Sequence, residues 1–341
     1  MATDFCNVDP YMSTNPAHPY NRLSPDTVLN AVESTGLLTD ARILALNSYE
    51  NRVYQVGIEG ESPVVVKFYR PGRWTKNQIL EEHQFLQELE ELEIPVVSPQ
   101  TIQGTTLSEF EGFLFAVFPR RGGRTPEPEN MDSLFAIGRY VGRMHACGAK
   151  RPFQYRPTMK ILEEARESTQ WLCEQGFIPN DLMPAYSSIV KDLLNRMAEA
   201  LVPFSALEGL RLHGDCHAGN ILCRDEQHFF VDFDDCKNGP AVQDLWLLLC
   251  GDRQMCSRQI SELVEGYEEF HEFNPAELSL IETLRTLRIM NYAAWLGKRW
   301  TDPAFPHHFP WFNTGRYWSE HILELREQQS ALQEPPLKLI H

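Results

Sequence analysis

The sequence predicts an α+β fold with two lobes, a small N-terminal lobe of antiparallel sheet plus helix and a larger, mainly helical C-terminal lobe. Apolar runs of strand length recur over residues 43–69, whereas the amphipathic periodicity of helices begins near Asn130 and continues through most of the remaining chain. A break at Pro119 and Gly122 separates the two patterns and is interpreted as the hinge between the lobes. With 341 residues, the chain is long enough to give each lobe a core.

The predicted organisation has three parts. The first part is rich in Pro, Asn, Ser and Tyr and shows no periodicity, which is typical of a loose extension. The second is expected to bind a nucleotide, and the third to carry out catalysis and bind an acceptor. These parts are residues 1–22, 23–118 and 119–341.

The N-terminal lobe begins with a clear helix start, in which Ser24 is the N-cap and Pro25 the first helical residue. Short apolar runs that are rich in Val, Ile and Phe then predict strands, and one longer periodic stretch predicts a helix. The predicted strands are residues 43–46, 52–58, 63–69, 94–97 and 112–118, and the predicted helix is residues 75–92.

The charge of the chain excludes some partners. A formal net charge of −16 argues against a general nucleic-acid binder, which needs a basic surface, and against binding to anionic membranes. It favours a basic partner, either a cationic small molecule or a polypeptide segment with Lys or Arg, although acidity can also serve solubility alone. No apolar run reaches the roughly 18 residues that span a bilayer.

Cysteine usage and the N-terminus indicate a cytoplasmic protein. The eight cysteines are scattered and contain no CxxC pair. Residues 1–21 lack the basic and apolar regions of a signal peptide. We therefore expect a cytoplasmic enzyme with free thiols, and we expect it to be a monomer.

The densest polar chemistry lies in residues 211–235. Asp215 and Asn220 stand just before one apolar run, and Asp232 stands just after a second. The two runs predict a β-hairpin with residues 224–227 as its turn. Because a hairpin brings its ends together, three oxygen-bearing side chains are expected to converge there.

This convergence is typical of phosphoryl transfer. That reaction needs a hard cation, which takes carboxylate and amide oxygens, and a carboxylate that receives the attacking hydroxyl. H-x-D followed by four residues and Asn is the catalytic-loop spacing of eukaryotic-type kinases, in which a metal-binding Asp follows on the next strand. The spacing assigns Asp215 as the base, and Asn220 and Asp232 as ligands of Mg²⁺ or Mn²⁺.

The motifs HGDCHAGNIL and VDFDD resemble those of the aminoglycoside phosphotransferase and choline kinase family, small-molecule relatives of protein kinases. The resemblance implies a protein-kinase-like fold with ATP as co-substrate. It also implies supporting roles for His213 and for Asp244, which is expected to open a buried helix over residues 245–250 and to brace the catalytic loop. Longer matching stretches, from about Leu23 to about Leu337, resemble the stress-response branch of that family, which implies a serine/threonine protein kinase.

One lysine of the N-terminal lobe is expected to bind the phosphates of ATP. Lys67 lies in an apolar strand, where a lysine must be paired or face a ligand, since burying an unpaired ammonium group is costly. Glu82 lies on the buried face of the following helix and is its expected partner. Glu81 is the weaker candidate for the same ion pair.

Three further residues are expected to contact ATP. Ser48 could offer its hydroxyl and backbone N–H to a phosphate, with Asn51 bracing the turn, although the turn lacks the glycines of the G-x-G-x-x-G pattern. Val117 and Phe118 are assigned by position alone, at the strand end where backbone groups hold adenine.

Two rival interpretations compete with the kinase. The first is a zinc site, because four residues of suitable type are close in sequence. The second is a pseudokinase that binds nucleotide without transferring phosphate, which is disfavoured because the whole set of catalytic residues is present. The zinc candidates are His213, Cys216, His217 and Cys223.

The residues themselves do not decide the acceptor. A small alcohol such as an aminoglycoside, choline, homoserine or a sugar is typical of the wider family, whereas the closer resemblance implies Ser or Thr in proteins. Candidate acceptor contacts are Arg285, Arg288 and Arg299, and His145 is expected to be a packed or capping residue. The gap between Asp232 and Asp244 is too short for a phosphorylated activation loop.

Overall fold

The computed structural model describes residues 19–205, 209–225 and 227–340, so most of the predicted N-terminal extension lies outside the described residues. Within the described residues, Pro19–Arg22 forms a 3₁₀ turn and Tyr20 is only 5% exposed. Two compact units are present, and the mixed α+β class is confirmed. The first unit comprises the chain up to Gln84 with residues 97–121 and 299–310, and the second comprises residues 85–96, 122–298 and 311 onwards.

The first unit is built on a five-stranded antiparallel sheet with the strand order β1-β2-β3-β5-β4. Helix α1 begins as predicted, since the Ser24 hydroxyl accepts the backbone N–H of Thr27 at 3.1 Å. Apolar side chains of α1 and of the sheet form one core. The elements are α1 (Pro25–Ser34), β1 (Thr39–Leu46), β2 (Arg52–Ile58), β3 (Val64–Phe68), α2 (Lys76–Glu91), β4 (Ser108–Phe110) and β5 (Phe113–Pro119).

The second unit is mainly helical, as predicted, and contains two small two-stranded sheets. Its elements are α3 (Met131–Gly148), α4 (Ile161–Glu174), α5 (Met183–Leu201), β6 (Leu210–Leu212), β7 (Ile221–Arg224), β8 (Gln227–Phe230), β9 (Lys237–Gly239), α6 (Gln243–Trp246), α7 (Arg253–Glu268), α8 (Ile281–Lys298) and α10 (Gly315–Ala331). Helix α9 (Ala304–His308) precedes α10 along the chain and falls within the first unit.

Helices α3 and α7 pack unusually closely. A Cβ atom at Gly142 on α3 would overlap the carbonyl oxygen of Tyr267 on α7, so glycine is required for the two backbones to approach. This approach brings Tyr267 against the ring of His145 on α3, with ring centroids 5.4 Å apart. The contact belongs to a buried network that reaches the catalytic loop.

Two predicted elements differ from the structure, and one observed strand was not predicted. The strand expected at residues 94–97 is not formed, because Pro95 has no backbone N–H to donate and only a single bridge pairs Val96 with Phe230. Strand β4 has only three residues, too few to show a period in the sequence. The helix expected over residues 245–250 is the four-residue α6, Gln243–Trp246.

No helix in the described part of the chain is long and apolar enough to cross a membrane. The cysteines of that part are all free.

Candidate active site

The hairpin of the second unit connects Asp215, Asn220 and Asp232 near one of its ends. Strands β7 and β8 pair antiparallel, and the Asn220 carbonyl accepts the backbone N–H of Val231 at 3.0 Å. The Asn220 side-chain amide donates to the carbonyl of Asp215, also at 3.0 Å. Asp232 directly follows Val231, so backbone bonds through Asn220 hold both acidic residues near one end of the hairpin.

Asp232 has an uncommon backbone conformation. Its φ of 60° and ψ of 65° place it in the left-handed region, which residues other than glycine rarely adopt. The turn that follows, Phe233–Asp235, is held by the buried Arg156, whose guanidinium donates to the carbonyl of Asp234 at 2.6 Å. The turn that Arg156 holds therefore directly follows the strained backbone of Asp232.

His213 ties the two halves of the hairpin to each other. Its Nδ1 accepts the backbone N–H of Asp215 at 3.3 Å, so the proton is assigned to Nε2, which donates to the carbonyl of Val231 at 2.9 Å. The ring packs on Phe233 with centroids 4.3 Å apart. Its place beside the loop is that of a supporting residue.

The carboxylate of Asp244 holds the backbone of the same loop through hydrogen bonds. Its carboxylate is fully buried and accepts the backbone N–H groups of His213 at 2.7 Å and Gly214 at 2.8 Å. Gly214 has a φ of +87°, and a Cβ there would overlap the carbonyl of Asp235, so the loop can pass only with glycine at this position.

His145 completes the brace as the packed residue that the sequence predicts. It is fully buried, with Nε2 at 3.1 Å from Oδ2 of Asp244 and Nδ1 at 2.9 Å from the hydroxyl of Tyr267. Burial alone would raise the pKa of Asp244, but the hydrogen bond from His145 and the bond from the Gly214 backbone hold that pKa below its ordinary value. The loop therefore rests on an ionised, fully bonded carboxylate.

Asp215 is held by two side chains. Its Oδ1 lies 2.8 Å from Nη1 of Arg288 on α8, and its Oδ2 lies 3.5 Å from Nε2 of His217. Burial raises the pKa of Asp215, but His217 and the charge of Arg288 outweigh it and hold the pKa well below its usual range. The Asp215 carboxylate is thus ionised, accepts hydrogen bonds and is only a weak base.

The fit of a divalent cation can be tested on the donor set. The side-chain amide of Asn220 donates a hydrogen bond to the carbonyl of Asp215. The Oδ1 atom of Asn220 is therefore the atom of this amide that can accept a cation. Together with the Asp232 carboxylate it gives an oxygen-only pair, which suits Mg²⁺ with its remaining positions on phosphates and water. These residues fit the cation.

The structure does not support the zinc site, because the histidines proposed as ligands use ring nitrogens in hydrogen bonds. Both ring nitrogens of His213 are used within the loop, and Nδ1 of His217 accepts the backbone N–H of Gly219 at 2.9 Å. Across residues 19–205, 209–225 and 227–340, no three His, Cys, Asp or Glu side chains group as metal ligands.

The first unit contains the predicted ion pair. Nζ of Lys67 on β3 lies 3.8 Å from Oε1 of Glu82 on α2, and both side chains are buried. Glu81 is only half-buried, so the structure pairs the lysine with Glu82.

The other predicted nucleotide contacts lie in the same unit. Ser48 is half-buried in the turn between β1 and β2, which is braced by Asn51, whose Oδ1 accepts the backbone N–H of Arg70 at 3.1 Å. On β5, the Val117 carbonyl already accepts the backbone N–H of Gln100 at 2.7 Å. The Phe118 side chain packs against a small apolar cluster with Tyr69, Ile79 and Ala116.

An ion cluster that the sequence analysis missed surrounds this turn. The carboxylate of Glu50 forms an ion pair with Arg299 at 2.6 Å. The deeply buried carboxylate of Asp302 forms ion pairs with Arg70 at 2.9 Å and with Arg52 at 3.4 Å. Burial raises the pKa of Glu50, but Arg73, Arg299 and Arg70 lower it below its ordinary value. No local pattern in the sequence marks Asp302, because its partners are 232 and 250 residues away.

The three arginines predicted as acceptor contacts lie in different places. Arg299 belongs to the ion cluster, and Arg285 pairs with Glu282 at 3.1 Å and lies over the Trp246 ring. Only Arg288 touches a predicted catalytic side chain. The pairing of His217 with Asp215 was also missed, although its position two residues after Asp215 is a signal in the sequence.

Comparison with known proteins places this geometry in a family. Residues 42–281 match the model of the phosphotransferase enzyme family. The chain is 48% identical over 326 residues to stress response kinase A of Escherichia coli, covering 95% of this chain and 98% of that protein. It is 46% identical over 323 residues to the serine/threonine protein kinase RdoA of Salmonella typhimurium, with the same coverage. The expected resemblance to the stress-response branch is confirmed.

Solved structures show the same fold at low sequence identity. An amicoumacin kinase superposes with a TM-score of 0.69 at 20% identity, covering 91% of this chain and 94% of that one. A microcompartment-associated aminopropanol kinase superposes with a TM-score of 0.67 at 17% identity, covering 92% and 99%. The predicted protein-kinase-like fold is thereby confirmed.

Proposed function

The chain belongs to the phosphotransferase enzyme family and is a kinase, and on that premise we propose that it transfers the γ-phosphate of ATP to serine or threonine hydroxyls of proteins. The observation that carries this proposal is the joint placement of Asp215, Asn220 and Asp232 by the bonds of Asn220. Phosphoryl transfer needs a carboxylate that receives the acceptor hydroxyl beside oxygen ligands that hold the phosphate-bound cation.

Asp215 accepts a hydrogen bond from the acceptor hydroxyl and orients its oxygen toward the γ-phosphorus. The new bond forms between that oxygen and phosphorus, the bond from phosphorus to ADP breaks, and the hydroxyl proton passes to the Asp215 carboxylate. His213 and Asp244 keep the loop in place through the bonds described above. Asn220 and Asp232 would hold Mg²⁺ or Mn²⁺, which when bound offsets the charge of the phosphates.

The first unit supplies the proposed nucleotide contacts. Lys67, held by Glu82, donates to the phosphates, and Ser48 offers its hydroxyl and N–H to the same groups. Backbone groups at Val117 and Phe118 hold adenine. Loss of ATP affinity on Lys67→Met, with an unchanged melting temperature, would support this assignment.

Two observations favour a protein acceptor. The Salmonella relative, 46% identical over nearly its whole length, carries the name of a serine/threonine protein kinase. The net charge of −16 suits capture of basic polypeptide segments. A cytoplasmic location is proposed with it, from the free cysteines.

A second candidate is transfer to a small alcohol. The solved neighbours named above are kinases of amicoumacin and of aminopropanol, both small molecules, and they share this fold. At 20% identity or less, these neighbours show only that the fold is shared and do not indicate the acceptor. The protein acceptor therefore remains the first choice.

The deciding experiment incubates the full chain with labelled ATP and either a protein lysate of its own cells or a panel of small alcohols. We expect label on serine or threonine of proteins, including this chain, and none with Asp215→Asn. Label on a small alcohol alone would replace the protein acceptor with the second candidate. A chain that turns over no ATP under either condition would refute the kinase mechanism.

A further inference from the structure

Each carboxylate oxygen of Asp215 already has a side-chain partner. Nε2 of His217 lies at Oδ2 and Nη1 of Arg288 lies at Oδ1. In the proposed reaction the acceptor hydroxyl needs one of these oxygens as its hydrogen-bond acceptor. The hydroxyl therefore competes with one of the two partners for its place at that oxygen.

His217 is the fixed member of the pair. It is the N-cap of the 3₁₀ turn Ala218–Asn220, and its Nδ1 is held by the backbone N–H of Gly219. That turn also positions Asn220, so moving the ring would disturb a proposed metal ligand. Oδ2 therefore keeps its partner.

Arg288 is the more exposed member of the pair. Its side chain is 50% exposed and reaches Asp215 from α8 through Nη1. An ion pair at such exposure is weak, because water screens it and a long side chain must be held in one rotamer. Oδ1 is accordingly the oxygen that an incoming hydroxyl can take.

An arginine displaced from Oδ1 stays beside the reacting atoms. A hydroxyl bonded to Oδ1 has the phosphoryl group on its far side, and charge on that group is spread over three equatorial oxygens during transfer. The planar guanidinium has five N–H donors in a fork that matches two such oxygens at once. Rotation of the flexible side chain is enough to change partners.

We propose that Arg288 is a further catalytic residue, whose guanidinium leaves Oδ1 of Asp215 when the acceptor hydroxyl binds there and then binds the oxygens of the transferring phosphoryl group. The guanidinium keeps its protons throughout, and the hydroxyl proton goes to Asp215 as in the proposed function. The inference rests on that function and adds a contact that forms only as phosphate moves.

The test measures binding of ADP with Mg²⁺ to the full chain, alone and with aluminium fluoride, which mimics a phosphoryl group in transfer. Turnover of ATP is measured on the same samples. The variant is Arg288→Gln, and the matched control is Arg316→Gln, which removes an exposed arginine paired with Glu320 on α10. Arg288→Lys serves as a second variant that keeps the charge but lacks the planar fork.

We expect Arg288→Gln to bind ADP within about twofold of the natural chain, but to lose about 10²-fold in turnover and in the affinity gained from aluminium fluoride. Arg288→Lys should lose about tenfold in turnover. The Arg316→Gln control should match the natural chain.

Unchanged turnover in Arg288→Gln would overturn the proposal, and so would a rise in the acceptor KM with kcat intact, which would make Arg288 an acceptor anchor. If the natural chain neither binds ADP nor turns over ATP, the proposed function itself fails, which is a different result.

Discussion

At the scale of single residues, the backbone of Asp232 is the most informative feature of the site. A non-glycine residue in the left-handed region costs about 1–3 kcal/mol, and such strain persists where the surroundings enforce it and a function uses it. Here Asp232 directly precedes the turn that Arg156 holds. We expect the strained backbone to serve the metal-binding role proposed for this residue.

Asp215→Asn should lower phosphoryl transfer about 10²-fold or more, because an amide cannot receive the hydroxyl proton. ADP affinity and the melting temperature should stay near their natural values, since Asp215 does not brace the loop. Steady-state kinetics and calorimetric binding of ADP check this. Turnover close to that of the natural chain would remove Asp215 from the mechanism.

Asp232→Ala should raise the Mg²⁺ concentration needed for half-maximal activity and weaken binding of the metal–nucleotide pair. The reason is the loss of one of only two proposed protein ligands. Asp235→Ala is the matched control, because it removes a carboxylate three residues further along and should leave the Mg²⁺ requirement unchanged. Equal Mg²⁺ titrations for both variants would reassign the ligand.

At the scale of elements, the catalytic loop is held by helices α3, α6 and α7 through one buried chain of bonds. Asp244 of α6 accepts two loop N–H groups, His145 of α3 contacts Asp244, and Tyr267 of α7 contacts His145. Each side chain in this network is the hydrogen-bond partner of the next one. Removal of any of them therefore leaves a buried polar group without that partner.

Asp244→Asn should destabilise the fold by about 3 kcal/mol, because an NH₂ group would then face a backbone N–H in a site without water. Tyr267→Phe removes only one neutral hydrogen bond at the end of the chain and should cost about 1 kcal/mol. Urea unfolding of both variants measures the difference. A larger loss for Tyr267→Phe than for Asp244→Asn would contradict the proposed order of the network.

The elements that the sequence predicts well are those whose signals are local. The helix start at Ser24, the Lys67 strand and the hairpin with Asp215 and Asn220 each depend on residues within a few positions of one another. The ion pair between Arg70 and Asp302 could not be predicted, because neither residue carries a local signal and 232 residues separate them. The same reason hid the contact of Arg288 with Asp215.

Elements were missed or wrongly predicted where the pattern was short or proline decided the outcome. Strand β4 has three residues, and α6 has four, so periodicity cannot define either. At residues 94–97 the apolar run was typical of a strand, but Pro95 allows only one bridge at Val96. Composition predicts that such runs are buried, and tertiary pairing decides their secondary structure.

At the scale of the whole molecule, buried carboxylates with depressed pKa values make stability depend on acid. Glu50 has a pKa below its ordinary 4.5 in the folded chain. Its contribution is therefore fully present above the unfolded pKa and is lost as the pH falls from 4.5 through the folded value. Asp244 acts in the same direction from its ordinary value of 3.8.

We expect the free energy of unfolding to fall as the pH drops below about 4.5. Glu50→Gln should reduce stability at pH 7 and make the acid slope shallower, since the titrating group is gone. Glu320→Gln, at an exposed surface pair, is the control and should leave the slope unchanged. Denaturant unfolding between pH 3 and pH 7 measures both, and identical slopes for all three chains would contradict the assignment to Glu50.

The ion pairs of Asp302 have a consequence for the order in which the chain folds during synthesis. Arg52 and Arg70 leave the ribosome more than two hundred residues before Asp302, the carboxylate that compensates their burial. Without Asp302, Glu50 alone among these carboxylates offsets the charge of Arg70, and burial of the two guanidinium groups is less favourable. The five-stranded sheet is therefore expected to remain protease-sensitive in nascent chains that end before residue 302. Arrested chains that end about 40 residues beyond Pro310, long enough to clear the exit tunnel through an added C-terminal linker, should become resistant, whereas equally long chains with Asp302→Ala should stay sensitive.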